Sequence, residues 1–211
     1  MSTTILNQLS SQVGDRSESA NHQVALQCQE HPELLAEIAQ GLSSKEAARA
    51  GDCAEVITQV ALEQPHLVAP YAGALTALLN HKNTRARWES AHALALIAAL
   101  TPETIQLLLP TLAEKVRRDP SIIVRDYAVD ILAGYAFSGA TAAREAFPLL
   151  KEALAVWGGR HAGHALLGLV HVASTAPELR AALCEIAQEY SQSEKGVVRK
   201  AAKALQRAAR E

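Results

Sequence analysis

Apolar positions in this chain recur at helical spacing, and the recurrence itself repeats every 37 residues. Ala54, Ala91, Ala128, Ala165 and Ala202 form one column at that step. Three residues on stand Ile57, Leu94, Ile131, Gly168 and Leu205, and seven residues on stand Ala61, Ala98, Tyr135, Val172 and Ala209. These offsets share one face of an α-helix. A second stripe begins 16 residues before each alanine, through Ile38, Leu75, Leu112, Leu149 and Ile186. It is flanked three positions earlier by Leu35, Ala72, Leu109, Ala146 and Leu183, and four positions later by Leu42, Leu79, Val116, Ala153 and Tyr190. Each repeat therefore reads as a first helix, a turn and a second helix. Pro32, Pro65, Pro102, Pro120, Gly139, Gly158–Gly159 and Pro177 fall between the helical stretches, where breakers belong.

One such helical pair cannot cover its own apolar stripe, so neighbouring pairs must stack into a continuous core. The pattern predicts an all-α fold: a right-handed α–α superhelix of about five repeats. It forms a single domain over residues 21–211, with a short extra helix near residues 22–31 and no strand. Residues 1–20 are rich in Ser, Thr, Gln and Asn without sustained periodicity and are expected to be a disordered tail. Gly163 and Gly168 in the fourth second helix predict either a local weak point or a close helix approach.

The third repeat reads Asp119-Pro120-Ser121-Ile122-Ile123-Val124-Arg125-Asp126-Tyr127-Ala128-Val129. An Asp in the turn and a Val-Arg pair opening the second helix resemble the HEAT-repeat family of armadillo-type α-solenoids. The fifth repeat echoes the motif in Val197-Val198-Arg199-Lys200-Ala201-Ala202. The second repeat has Arg87 displaced by one, with Trp88 in the arginine column, and Gly51 and Ala162 stand there in the first and fourth repeats. The resemblance implies a solenoid whose second helices line a concave side, usually in a scaffold or adaptor. It also implies that Asp119 and Arg125 act structurally, the acid capping the second helix and the arginine linking neighbouring repeats.

Composition narrows the function classes. Net charge is −2, so a general nucleic-acid surface is disfavoured. The three cysteines, Cys28, Cys53 and Cys184, have no metal or redox spacing and read as small hydrophobes. No basic start leads into an apolar run, and no apolar stretch is long enough to span a bilayer, so a cytoplasmic protein is expected. Nucleophile elbows, His-Glu metal motifs and phosphate loops are missing from the sequence. His161, His164 and His171 share a helix that offers no carboxylate or cysteine from Gly159 to Ala173. No catalytic residue, metal or cofactor is therefore expected. Gly158-Gly159 reads as a helix-terminating turn, with Trp157 packed beneath it. The basic last helix reads as a solvated cap or a patch for nucleic acid or an acidic protein.

The column two residues before the alanines is Asp52, Glu89, Asp126, Gly163 and Lys200. With Glu55, Trp88, His92, Tyr127, Asp130 and His164 it forms the candidate partner-binding ridge, expected to be exposed. Acids early in a helix also suit its dipole, which is the competing reading. The function expected is a non-catalytic interaction scaffold binding a protein with a basic contact region. The alternative is a HEAT-like nucleic-acid-binding protein of the alkylpurine DNA glycosylase type, in which Trp88 and Asp126 would face the base.

Overall fold

The computed structural model describes residues 4–17 and 19–211. Among these every regular element is helical. Where one uninterrupted domain was expected, the chain divides into two compact units, Met1–Ile97 and Ala98–Glu211.

The N-terminal unit contains helices α1 (Ser19–Glu30), α2 (Leu35–Gly41), α3 (Ala47–Glu63) and α4 (Thr84–Ile97). The second helices α3 and α4 pack on each other, and α1 packs on α3 as the extra leading helix. The first helix of the second repeat is not continuous. Pro65–Val68, Ala69–Tyr71, Ala72–Thr76 and Ala77–Asn80 are short turns of alternating α and 3-10 type. Pro70 supplies no backbone donor and Gly73 lowers helix propensity, so the segment fragments. Its apolar positions nonetheless stay inside, Val68, Leu75 and Leu79 among them.

Residues 4–17 correct the expectation of a tail. Ile5–Gln8 and Ser10–Val13 are short helical turns, and Ile5 and Leu9 are buried. The Asp15 carboxylate ties this segment to α1 by accepting from the Ser17 amide at 2.8 Å and the Ala20 amide at 2.8 Å. These contacts, with the Ser17 and Ser19 hydroxyls, hold Asp15 well below the ordinary carboxylate range. Gly41 leaves room for the close approach: a Cβ there would lie 2.4 Å from Cys53 Sγ and 2.9 Å from Leu6 Cδ2. Few apolar residues anchor the segment, and its remaining bonds are polar, which periodicity does not register. Residues 1–3 and 18, also within the expected tail, lie outside the described residues.

The C-terminal unit contains α5 (Pro102–Arg118), α6 (Ile122–Phe137), α7 (Ala140–Ala153), α8 (Ala162–Thr175), α9 (Arg180–Tyr190) and α10 (Gly196–Ala208). Second helices stack sequentially, α6 on α8 and α8 on α10, while α5, α7 and α9 pack beside their partners. Every second-helix column read from the sequence is buried across the chain, from Ala54 to Ala209. The first-helix columns hold less strictly. Leu109, Leu149 and Tyr190 are only partly buried, and Leu150 is buried where Leu149 was expected.

Leu112 is fully buried in α5. Leu112→Ala should lower unfolding free energy by about 2–5 kcal/mol in chemical denaturation, the usual range for such truncation. Gly168 marks a close approach: a Cβ there would stand 2.9 Å from both Ala133 Cβ and Leu150 Cδ2. Gly168→Ala should therefore destabilise, by about 1–3 kcal/mol through overpacking, although alanine is the better helix former. A stabilised variant in the same measurement would show that α6 and α8 can separate freely.

Candidate functional site

The acidic column is not the exposed ridge expected of it. Asp52 and Glu55 on α3 are 1% and 6% exposed, and Glu89 on α4 is 5% exposed. Arg85 donates from Nη1 to Asp52 Oδ1 at 2.8 Å and from Nη2 to Glu55 Oε2. The buried Asn21 amide reaches both carboxylates, at 3.1 and 2.8 Å, and the Ser11 amide donates to Asp52 Oδ2 at 2.8 Å. Burial alone would raise the Asp52 carboxyl, but the bonds from Ser11, Asn21 and Arg85 outweigh it and hold it below its ordinary value. Glu89 is enclosed on the same helix stack, its carbonyl accepting from Thr58 Oγ1 at 3.0 Å. These acids lie where α3 and α4 pack closely, so their side chains are enclosed between helices. They hold the N-terminal unit together from inside. Trp88 and His92, also on α4, are half-buried.

Asp126, Tyr127 and Asp130 on α6 are half-exposed, and His164 on α8 is exposed. The structure brings Asp126, Asp130 and His164 into one cluster with His161, Arg125 and Trp157. His161 is fully buried; its Nδ1 lies 2.6 Å from Asp126 Oδ1, and Arg125 Nε donates to its Nε2 at 3.1 Å. Arg125 has only protons to give, so Nε2 accepts and Nδ1 carries the imidazole hydrogen toward Asp126. His164 Nδ1 lies 2.8 Å from Asp130 Oδ1, and its Nε2 lies 3.9 Å from Asp126 Oδ1. His161 and His164, which the sequence reading gave no partner, thus take carboxylates from the preceding second helix.

Trp157 was expected beneath the Gly158–Gly159 turn. It is instead 50% exposed. Its backbone is left-handed, φ 55°, followed by Gly158 and Gly159 at 64° and 69°. This is the only non-glycine residue with positive φ among the described residues. The Arg125 guanidinium lies 3.9 Å from the ring centroid, and the indole Nε1 donates to the Val116 carbonyl at 3.1 Å. Both contacts fix the ring while leaving half its surface in solvent. No sequence signal identified this, because φ is not legible in a lone tryptophan.

Arg125 also donates to the Asp119 carbonyl. Arg87 does the same to the carbonyls of His81 and Lys82, at 2.9 and 3.2 Å, and Arg199 to those of Ser193 and Glu194, at 2.7 and 2.8 Å. The displaced Arg87 is therefore the functional equivalent of Arg125. The expected link between neighbouring repeats is the Arg125–His161 bond. Ser121, not Asp119, occupies the N-cap, accepting from the Val124 amide at 3.4 Å, while Asp119 Oδ1 accepts from the Ser121 amide at 3.0 Å. Among the described residues no three His, Cys, Asp or Glu side chains gather as a metal site would need, and no helix is long and apolar enough to cross a membrane.

The hydrogen bond that His164 donates to Asp130 raises the imidazole above its ordinary value of 6.5, against the opposing effect of burial. A raised folded-state value means that this pair stabilises fully below about 6.5 and that its contribution is lost as pH rises through the folded value. NMR titration of the His164 ring should show the upward shift, and Asp130→Asn should reverse most of it. A wild-type ring titrating at or below the ordinary value would break the assignment.

No protein-family model matches the chain, and no curated protein does. Solved structures do. A designed armadillo repeat protein in complex with the peptide (KR)4 is 18% identical, with TM-score 0.73, covering 97% of this chain and 98% of that one. An engineered protein is 17% identical, with TM-score 0.72, covering 98% and 95% respectively. Computationally designed armadillo repeat proteins for modular peptide recognition are 20% identical, with TM-score 0.68, covering 97% and 98%. At these identities the likeness concerns the fold, and the fold is that of an all-α repeat solenoid of the armadillo/HEAT type.

Proposed function

We propose that this protein is a non-catalytic interaction module whose C-terminal unit holds an extended segment of a partner protein along α6, α8 and α10. The carrying observation is Trp157: an aromatic ring half in solvent, held by a left-handed backbone and by Arg125 beneath it. Aromatic rings fixed in place before binding are the usual anchors of an interface, since little side-chain freedom is lost on contact. Beside it, Asp126 and Asp130 present partly exposed carboxylates, the two of the five expected acids that remain accessible. They suit a basic contact region in the partner. Tyr127 and His164 flank them. In the N-terminal unit the half-buried Trp88 and His92 are assigned the same kind of contact.

Two solved structures of this fold are described as peptide-binding or built for peptide recognition, which supports the reading.

A Lys/Arg repeat peptide titrated into the full chain should quench or shift tryptophan fluorescence and bind more weakly as salt rises. Trp157→Gly should weaken it about tenfold or more, with folding intact because glycine accepts the positive φ that tryptophan strains to adopt. Unchanged affinity in that variant would remove Trp157 from the site. Steeply salt-dependent binding to duplex DNA without peptide binding would overturn the protein-partner reading in favour of nucleic acid.

A further inference from the structure

Exposed charge on the C-terminal unit's second helices changes sign from one helix to the next. At the 37-residue step the ridge position reads Asp126 on α6, Gly163 on α8 and Lys200 on α10. Asp130 reinforces the negative end, and Lys203 and Arg207 are exposed with Lys200 at the positive end. Between them α8 carries the exposed His164 and Leu167, and Arg160 is exposed just ahead of the helix. A Cβ on Gly163 would meet Val197 Cγ1 of α10 at 3.8 Å, so the missing side chain leaves a low crossing between helices. Val197 itself is 69% exposed.

The basic end needs a reason beyond capping. A terminal repeat requires a polar outer face, but acids would serve as well as bases. The helix dipole favours cations only in the last turn. Lys200 and Lys203 sit ahead of the last turn of α10, which begins at Gly196 and has Arg207 in that last turn. Val198, Ala201, Ala202 and Leu205 are buried, so the cations are turned away from the core. Among the described residues no intramolecular carboxylate claims them: of the α10 side chains, Arg199 alone is engaged, by the Ser193 and Glu194 carbonyls.

We infer that the bound segment is charge-ordered, with basic side chains over α6, apolar or aromatic ones at Trp157, Gly163 and Leu167, and acidic ones over α10. This rests on the peptide-docking reading above. A uniformly basic segment long enough to cross all three helices meets repulsion at Lys200, Lys203 and Arg207. Packed helices lie about 8–10 Å apart and an extended chain advances about 3.3 Å per residue, so the two charged blocks should be separated by roughly five or six residues.

The test uses the full chain and four labelled peptides of equal length. One carries a basic block, an apolar spacer of about five residues and an acidic block, the separation set by helix packing. The second carries the same residues interleaved. The third is uniformly basic, and the fourth uniformly acidic. The blocked peptide should bind about tenfold or more tighter than each of the others at low salt. In Lys200→Glu/Lys203→Glu/Arg207→Glu, with helicity checked by circular dichroism, the preference should pass to the uniformly basic peptide. If the uniformly basic peptide binds wild type as tightly as the blocked one, charge ordering is wrong while peptide docking stands. Equal binding of blocked and interleaved peptides also overturns the ordering. If no peptide binds, the docking reading falls and the inference falls with it.

Discussion

Stacking of the second helices is the constraint on which the rest of this structure depends. A two-helix repeat has no second layer of its own, and its apolar stripe is buried only when the next repeat lies against it. The helices must approach closely, which is why the central column is alanine in every repeat and why glycine replaces leucine or isoleucine at Gly168. There the neighbouring Ala133 and Leu150 occupy the space a methyl group would need. Close approach then dictates what the adjacent positions can be. Positions within two residues of that column can then lie out of water, as Asp52, Glu55 and Glu89 do.

The acids stand there, and Asp52, Glu55, Asp126 and Asp130 are each met by a base at the start of the following second helix. Arg85 meets Asp52 and Glu55, His161 meets Asp126, and His164 meets Asp130. Isolated carboxylates could not be buried there, because desolvation disfavours the charged form. Paired ones can, and they fix the register of one helix on the next. The electrostatics of the surface follow from this pairing. Where the pairing is complete, as in α3, the acids vanish from the surface. Where histidine is the partner, as between α6 and α8, the carboxylates stay half open.

The sequence displayed this fold through its alanine columns, since periodicity reports which side of a helix is buried. Every second-helix position read that way is inside. First helices were less legible: Pro70 and Gly73 break one into short turns, and Leu150 rather than Leu149 is buried in another. Ile5 and Leu9 were missed because two apolar residues make no period, and Asp15 holds that segment by polar bonds alone. Of the candidate ridge, Asp126, Tyr127, Asp130 and His164 lie together at an accessible place. Asp52 and Glu89 share the column of Asp126 and yet, like Glu55 beside them, are interior. A column records a direction on a helix, and whether that direction meets solvent or a neighbour depends on packing that a single sequence does not encode.

Trp157 shows how the fold and the site meet. A left-handed conformation disfavours any residue with a Cβ, by roughly 1–2 kcal/mol, and two glycines follow that could have carried the turn without it. The strain persists because three features over-determine the residue: the glycines on one side, the Val116 carbonyl at its indole nitrogen, and the Arg125 guanidinium against its face. Arg125 is itself held by the Asp119 carbonyl and by His161, and His161 by Asp126. The chain of contacts thus runs from a repeat-defining arginine to an exposed ring. A ring needed only for the core would be buried by the same contacts. Holding it half in solvent, at the cost of backbone strain, is the feature on which the proposed docking of a partner segment rests.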